Sequence, residues 1–308
     1  MKKYLALAAL LVAISLTARA DLDTTKIDQL TGLKGKLNAQ EGVYKVTFPR
    51  DDVKVSVAGW QMPPFMGLGT WAAFQGTNDK AMMMGDTVLF EDEVNAVMSA
   101  ALDNGLSVTA LHNHFFFDEP KVYFMHISGD GSVETLAGAV KKVYDTIKAI
   151  RVANAKPATK FGQNENEKKP MPGKSSITPA PLNEIFALQG DVKDGMVKFT
   201  IGKKSKMSGM EIGKEIGVNT WAAFAGTDDN AVVDGDFAVT EDELQPVLKS
   251  LRAANVNIVA IHSHMTHENP RILFLHYWGR GSAKDLANAV KGALLVTGIT
   301  GVTTQAAN

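Results

Sequence analysis

The chain states itself twice. Residues 71–140 lie over 221–290 at a constant offset of 150 with no gap, and 27 of the 70 aligned positions are identical. Shared runs include Thr70–Phe74 against Thr220–Phe224, Gly85-Asp86 against Gly235-Asp236, and Glu91–Glu93 against Glu241–Glu243. Agreement on that scale marks an internal duplication. Two copies, rather than an extended array, predict a pseudo-two-fold pair of homologous domains and not a solenoid.

The flanks divide the chain into four parts. Residues 1–20 carry Lys2 and Lys3, an apolar run from Tyr4 to Leu16, and Ala18-x-Ala20 before Asp21, the pattern of a secretory signal peptide. The run is too short for a membrane span, which takes about 20 apolar residues. Residues 21–153 are expected to form the first repeat domain and 182–308 the second. Between them, Asn154–Pro181 has five prolines and almost no large apolar residue, and reads as an exposed linker. The expected product is periplasmic or secreted after cleavage near Ala20.

Cleavage there removes three basic residues and leaves 29 Lys+Arg against 33 Asp+Glu, a net charge of −4. A mildly acidic surface argues against nucleic acid or anionic lipid as the main partner. The chain has no cysteine. Disulfides and an N-terminal lipid anchor are therefore excluded, and stability must come from burial.

Periodicity supplies the elements. Period-two alternation in Val53, Val55, Val57 and in Val197, Phe199, Ile201 predicts half-buried strands. Val94, Val97, Met98, Ala101 and Leu102 fall at helical spacing and stop before Gly105, which predicts an amphipathic helix with a glycine behind it. The second copy opens the matching helix with Thr240 and Glu243, a capping-box pattern. A second helix begins after Ser132 or Ser282, with Leu136, Val140, Val143 and Ile147 on one face. Each copy thus reads as strands, helix, hairpin, helix: an α+β fold in which two helices cover one face of a mainly antiparallel sheet.

All seven histidines fall in two repeated segments, LHNHFFFDEPKVYFMH (Leu111–His126) and IHSHMTHENPRILFLH (Ile261–His276). Residues two apart on a strand share a face, so His112 with His114, and His262 with His264, are expected to point the same way. His126 and His276 return across the hairpin. Three converging imidazoles with an open fourth position suit zinc foremost, or copper or iron. Glu119 and Glu268, or Asp118, are candidates to complete the set or to act as base toward a metal-bound water. The six candidate metal ligands are His112, His114, His126, His262, His264 and His276. The plain alternative is an exposed histidine face, or a groove lining, without metal.

Other repeated residues have structural readings. Glu91–Glu93 and Glu241–Glu243 suit a helix N-terminus, where carboxylates meet the positive end of the dipole. Gly85-Asp86 and Gly235-Asp236 read first as strand bends with a capping aspartate, and second as a carboxylate for the histidine site. Trp71 and Trp221 read as core aromatics, while Tyr277 and Trp278 suit either a ligand groove or a packed strand end. The letters HNH do not make an HNH nuclease, whose residues are dispersed and work in a basic groove. His112-x-His114 before Glu119 has the spacing of a first cupin motif. The second copy has Asn269 at that position, however, and two helices per copy do not suit an all-strand jelly roll. No nucleophile elbow, phosphate loop or dinucleotide fingerprint occurs.

The pairs GTWAAF/NTWAAF and MGDTVLFEDEV/DGDFAVTEDEL, ALHNH with EP, AIHSHM with ENPRILFLHYWGRG, and FPRDDV ahead of the first copy resemble the LppY/LpqO family of bacterial exported proteins. The resemblance covers nearly the whole mature chain and implies export. It brings no reaction, ligand or partner with it, and the family's lipoprotein anchor has no cysteine here to carry it. PRDD (Pro49–Asp52) has no literal counterpart in the second half, which carries IGKKSK, so the copies are expected to differ there. The residues themselves point to divalent metal binding, which can support metal-dependent hydrolysis. A small-ligand-binding or envelope interaction protein without metal is the alternative.

Overall fold

The computed structural model describes residues 22–158 and 170–298. The expected signal peptide and residues 159–169 of the expected linker fall outside them. The first repeat runs α1 (Thr24–Thr31), β1 (Lys36–Asn38), β2 (Val43–Pro49), β3 (Val55–Val57), β4 (Trp60–Met62), β5 (Gly69–Gly76), β6 (Ala81–Phe90), α2 (Glu91–Asp103), β7 (Ser107–His112), β8 (Asp118–Glu119), β9 (Val122–Gly131) and α3 (Val133–Ala153). The second runs α4 (Pro179–Phe186), β10 (Asp191–Lys193), β11 (Met196–Gly202), β12 (Ser205–Met207), β13 (Met210–Ile212), β14 (Asn219–Thr227), β15 (Asn230–Thr240), α5 (Glu241–Ala253), β16 (Asn257–His262), β17 (Ile272–Gly281) and α6 (Ala283–Leu295). Among the described residues no helix is long and apolar enough to cross a membrane.

The expected α+β class holds, and the halves are joined more intimately than a tandem pair requires. One twelve-stranded sheet has the order β1-β2-β5-β6-β9-β7-β16-β17-β15-β14-β11-β10. The copies meet where β7 pairs antiparallel with β16 at Leu111 and Ile261, aligned residues of the duplication. A pseudo-two-fold axis therefore passes between these strands. Side chains from the helices tie the seam reciprocally. Asn95 Oδ1 on α2 accepts from Ile258 N at 2.7 Å, and Gln245 Oε1 on α5 accepts from Val108 N at 2.9 Å.

Alternation divides the sheet into a covered and an open face. Ala72, Phe74, Met83, Leu89, Leu111, Met125 and Ile127 turn toward the helices and join one core with Phe224, Val233, Ile261, Leu275 and Tyr277 from the other copy. The helices offer the matching stripes, Val94, Val97, Met98, Ala101 and Leu102 on α2 and Leu136, Val140, Val143 and Ile147 on α3. Ser132 caps α3 by accepting from Thr135 N at 3.1 Å. On the open face two smaller cores lie beside the short hairpins. One holds Val55, Met62, Leu68, Val88, Phe90, Val122 and Phe124, the other Ile212, Val218, Ala238, Ile272 and Phe274.

Two local expectations change. Ser175–Pro181 is docked rather than free: Ser176 bridges to Thr227, Ile177 is buried, and Pro179 begins α4. The PRDD and IGKKSK segments do equivalent work, because each sends a cation to the glutamate at the third position of a helix. Arg50 pairs with Glu93 at 2.7 Å, and Lys203 pairs with Glu243. Both glutamates also accept the amide three residues back, Phe90 N at 2.9 Å and Thr240 N at 2.7 Å.

Candidate metal centre

Strand register collects the histidines on the open face. On β9, His126 stands opposite Ala110 of β7 and Asp86 of β6, and His112 stands opposite Phe124. The second copy repeats this with His276 opposite Ala260 and Asp236, and His262 opposite Phe274. A bulge between Val108 and Ala110, and between Ile258 and Ala260, restores the alternation that turns His112 and His262 away from the helices. Leu111 and Ile261 face the helix side, so Ala110, His112, Ala260 and His262 all lie on the opposite face around the pseudo-two-fold axis.

His114 and His264 fall just past the strand ends, and a ring stack rather than strand alternation holds them. Each imidazole lies on a phenylalanine of the return strand with centroids 3.4 Å apart, His114 on Phe124 and His264 on Phe274. The expected convergence results. Ring centroids are 5.2 Å apart for His112–His114 and 5.1 Å for His112–His126, against 5.0 Å for His262–His264 and 4.7 Å for His262–His276.

The second copy is the tighter. Nε2 of His262 and Nε2 of His264 are 3.1 Å apart, and His264 Nε2 is 3.5 Å from Asp236 Oδ2. Among the described residues, Asp236, His262 and His264 form the set whose ligand atoms all lie within 4.8 Å of one another. Two nitrogens bound tetrahedrally at about 2.0–2.1 Å from one zinc ion stand roughly 3.3 Å apart, close to the spacing of these rings. His276 Nδ1 faces Gly235 O at 3.4 Å, which leaves its Nε2 to present a lone pair. In the first copy the His112 and His114 planes are nearly parallel, at 11° against 48° in the second, so their nitrogens do not meet in the same way.

Burial leads the electrostatics of both clusters. Burial lowers the His262 pKa, and His276 and His264 lower it further. His114 is lowered first by burial and then by His112 and His126, with Asp86 opposing. Asp236 is raised by burial, against the pull of His276 and His264. Asp236 Oδ1, its counterpart Asp86 Oδ1 and His262 Nδ1 are buried with no hydrogen-bond partner. His262 and His114, pushed toward their neutral forms beside carboxylate oxygens that lack a hydrogen-bond partner, are donors of the kind a divalent cation satisfies.

The carboxylates expected from the hairpin loops are placed elsewhere. Glu268 is buried, and its Oε1 accepts from Ile272 N at 3.0 Å. Its aligned partner is Asp118, whose Oδ2 accepts from Val122 N at 2.7 Å. Both close the loop onto its return strand. Glu119 is exposed on β8, opposite Ser56 of β3. His267 sits exposed at positive φ (68°), the turn position that Phe117 fills in the first copy (58°). The carboxylate that does reach the imidazoles is Asp236, which lies inside β15 and not at a bend. Its glycine is explained by space: a Cβ on Gly235 would stand 2.2 Å from the Tyr277 hydroxyl and 2.5 Å from Trp221 O.

Trp71 and Trp221 are half-buried on the open face, next along the sheet from Asp86 and Asp236, and not in the main core. Lys45 Nζ lies 4.0 Å over the Trp71 ring and Lys198 Nζ 4.3 Å over that of Trp221. Tyr277 is fully buried and donates to Trp221 O at 3.0 Å, which removes it from any groove, while Trp278 stays exposed.

Fold and site together define a duplicated α+β protein that displays a histidine–aspartate cluster on the open face of each repeat. The sequence pattern of the family described as Domain of Unknown Function (DUF1259) matches residues 25–146 and again 180–296, and the chain belongs to that family. No curated protein and no solved structure matches it.

Proposed function

We propose that this is an exported, LppY/LpqO-like protein, periplasmic or secreted, that binds a divalent transition metal, zinc foremost. Its principal site is Asp236, His262 and His264, with His276 beside them. The observation that carries the reading is the 3.1 Å approach of two Nε2 atoms next to a buried aspartate with an unpartnered oxygen. His112, His114, His126 and Asp86 form the corresponding cluster of the first copy. Three protein ligands leave a fourth position for water or a small ligand. Binding is better supported than hydrolysis, because Glu268 is engaged by the backbone and Glu119 lies out on β8.

Calorimetric titration of the mature, untagged protein with zinc tests this. Micromolar or tighter binding is expected, weakened at least roughly tenfold by Asp236→Asn, His262→Ala or His264→Ala, since even outer-shell partners of a metal are worth that much. No binding by the wild-type protein at micromolar zinc overturns the proposal.

A further inference from the structure

We propose that the two histidine clusters form one composite site across the seam, which takes a short α,ω-dicarboxylate such as succinate or glutarate, with one carboxylate on the metal ion of each copy. The proposal deepens the zinc reading and rests on it. Strand register sets the geometry. Leu111 pairs with Ile261, so Ala110 faces His262 across the seam and Ala260 faces His112. Ala110 is also opposite His126, which is opposite Asp86. Ala260 is likewise opposite His276, which is opposite Asp236. Two rows result on the open face: Asp86, His126, Ala110, His262, and Asp236, His276, Ala260, His112. Each row leads from the ligands of one copy to a histidine of the other with a single alanine between them.

Neighbouring strands lie about 4.8 Å apart, so His126 and His262, like His276 and His112, stand roughly 10 Å apart, and so do the centres of the two clusters. Metal–oxygen bonds of about 2.0–2.2 Å from each ion leave roughly 6 Å between two bridging oxygens, the reach of succinate or glutarate. The space above the alanines is open. Both are only half-buried in the middle of the twelve-stranded sheet, because the small cores under the short hairpins cover Phe124 and Phe274 to either side and not the seam. Their methyl groups suit a methylene chain. Charge matches as well, since Asp86 Oδ1 and Asp236 Oδ1 are both buried without a hydrogen-bond partner and give each cluster its own aspartate. A divalent ion with neutral imidazoles and one aspartate keeps a single positive charge, so two such ions balance a dianion. Diphosphate exceeds that balance and has no apolar centre.

The test is calorimetry of the full mature chain, first with zinc and then, once loaded, with succinate, glutarate, diphosphate and the monocarboxylate propionate. Two equivalents of zinc are expected, then one dicarboxylate held at least roughly tenfold more tightly than propionate, because the tether makes the second carboxylate's contact intramolecular. Asp86→Asn/His126→Ala, which strips the first cluster, is expected to bring glutarate down to the propionate level while the Asp236 site keeps its zinc. Ala110→Leu/Ala260→Leu, which fills the floor without removing a metal ligand, is expected to do the same with both zinc ions retained. Protein that holds two zinc ions yet binds the dicarboxylates no tighter than propionate, or diphosphate tighter than either, overturns the inference and leaves the zinc reading standing. So does a single zinc equivalent, or a variant that binds glutarate as tightly as wild type. No zinc binding at all removes both.

Discussion

Arg50 has no exposed side-chain surface, yet all five of its N–H donors are used. Nε and Nη2 donate to Asp52 at 2.8 and 2.9 Å, Nη1 and Nη2 to Glu93 at 2.7 and 2.9 Å, and Nη1 also to Val88 O at 2.8 Å. The guanidinium lies 4.5 Å from the Phe90 ring centre. Removing one partner of such a buried pair strands the other, at about 3–5 kcal/mol. Arg151 Nε also lies 2.9 Å from Glu93 Oε1 and stays in place, so Arg50→Met is expected to cost at most that much in urea unfolding, and Arg50→Met/Glu93→Met distinctly less than the sum of its single variants. Protonation offers a second check at this scale. His114 and His262 have pKa values held below the ordinary 6.5, so as pH falls beneath 6.5 the unfolded chain takes protons that the folded one refuses. Their contribution to stability is complete above that value and is lost on acidification. Metal-free protein should melt lower at about pH 5.5 than at about pH 7.5, and His114→Phe/His262→Phe should narrow the difference. At the residue scale His112, His126, His262 and His276 follow from strand spacing and hairpin return, whereas His114 and His264 lie past the strand ends on phenylalanine rings that spacing does not state. Asp236 was harder to read, since a Gly-Asp pair serves a turn as readily as a crowded strand, and only the position of Tyr277 distinguishes them. The partnership of Arg50 and Lys203 with helix glutamates was hidden because the aligned offset shifts from 150 to 153 there, and the two cations differ.

Among elements, the seam between β7 and β16 bears the most. One backbone pair joins these strands, Asn95 and Gln245 add bonds from the helices above, and Arg252 Nε donates to Ser99 Oγ across the seam at 3.1 Å. Gln245 both accepts from Val108 N and donates to Val108 O, each at 2.9 Å. Asn95→Ala or Gln245→Ala leaves a backbone group at the seam without its partner, at roughly 1–3 kcal/mol. Hydrogen exchange is expected to show faster exchange at Ile258 in the first variant and at Val108 in the second, with the outer strands unchanged. Equal slowing or speeding across the whole sheet would contradict this division of labour. The hairpins and the two longer helices of each copy could be read from sequence, because their signals are local, whereas the short first helix of each copy, α1 and α4, was not expected. The seam could not, because nothing within one copy states which edge strand meets its duplicate.

As a whole molecule, the duplication yields one sheet and one continuous core, with both histidine clusters on the same face around the pseudo-two-fold axis. Ala110 and Ala260, the small residues between the clusters, keep that face low where the copies meet. Two homologous domains were evident from the repeat, and their fusion is a tertiary fact beyond any local pattern. The same placement brings the histidines of both copies onto one surface, where the copies can specialise without losing their common frame. The central claim is that Asp236, His262 and His264 share a metal ion. Anomalous diffraction at the zinc edge, from crystals of the mature protein grown with zinc, tests it most directly. The account predicts a peak at about 2.0–2.2 Å from an oxygen of Asp236 and a nitrogen each of His262 and His264. Crystals that hold zinc elsewhere on the chain, with no peak between these three residues, would contradict it.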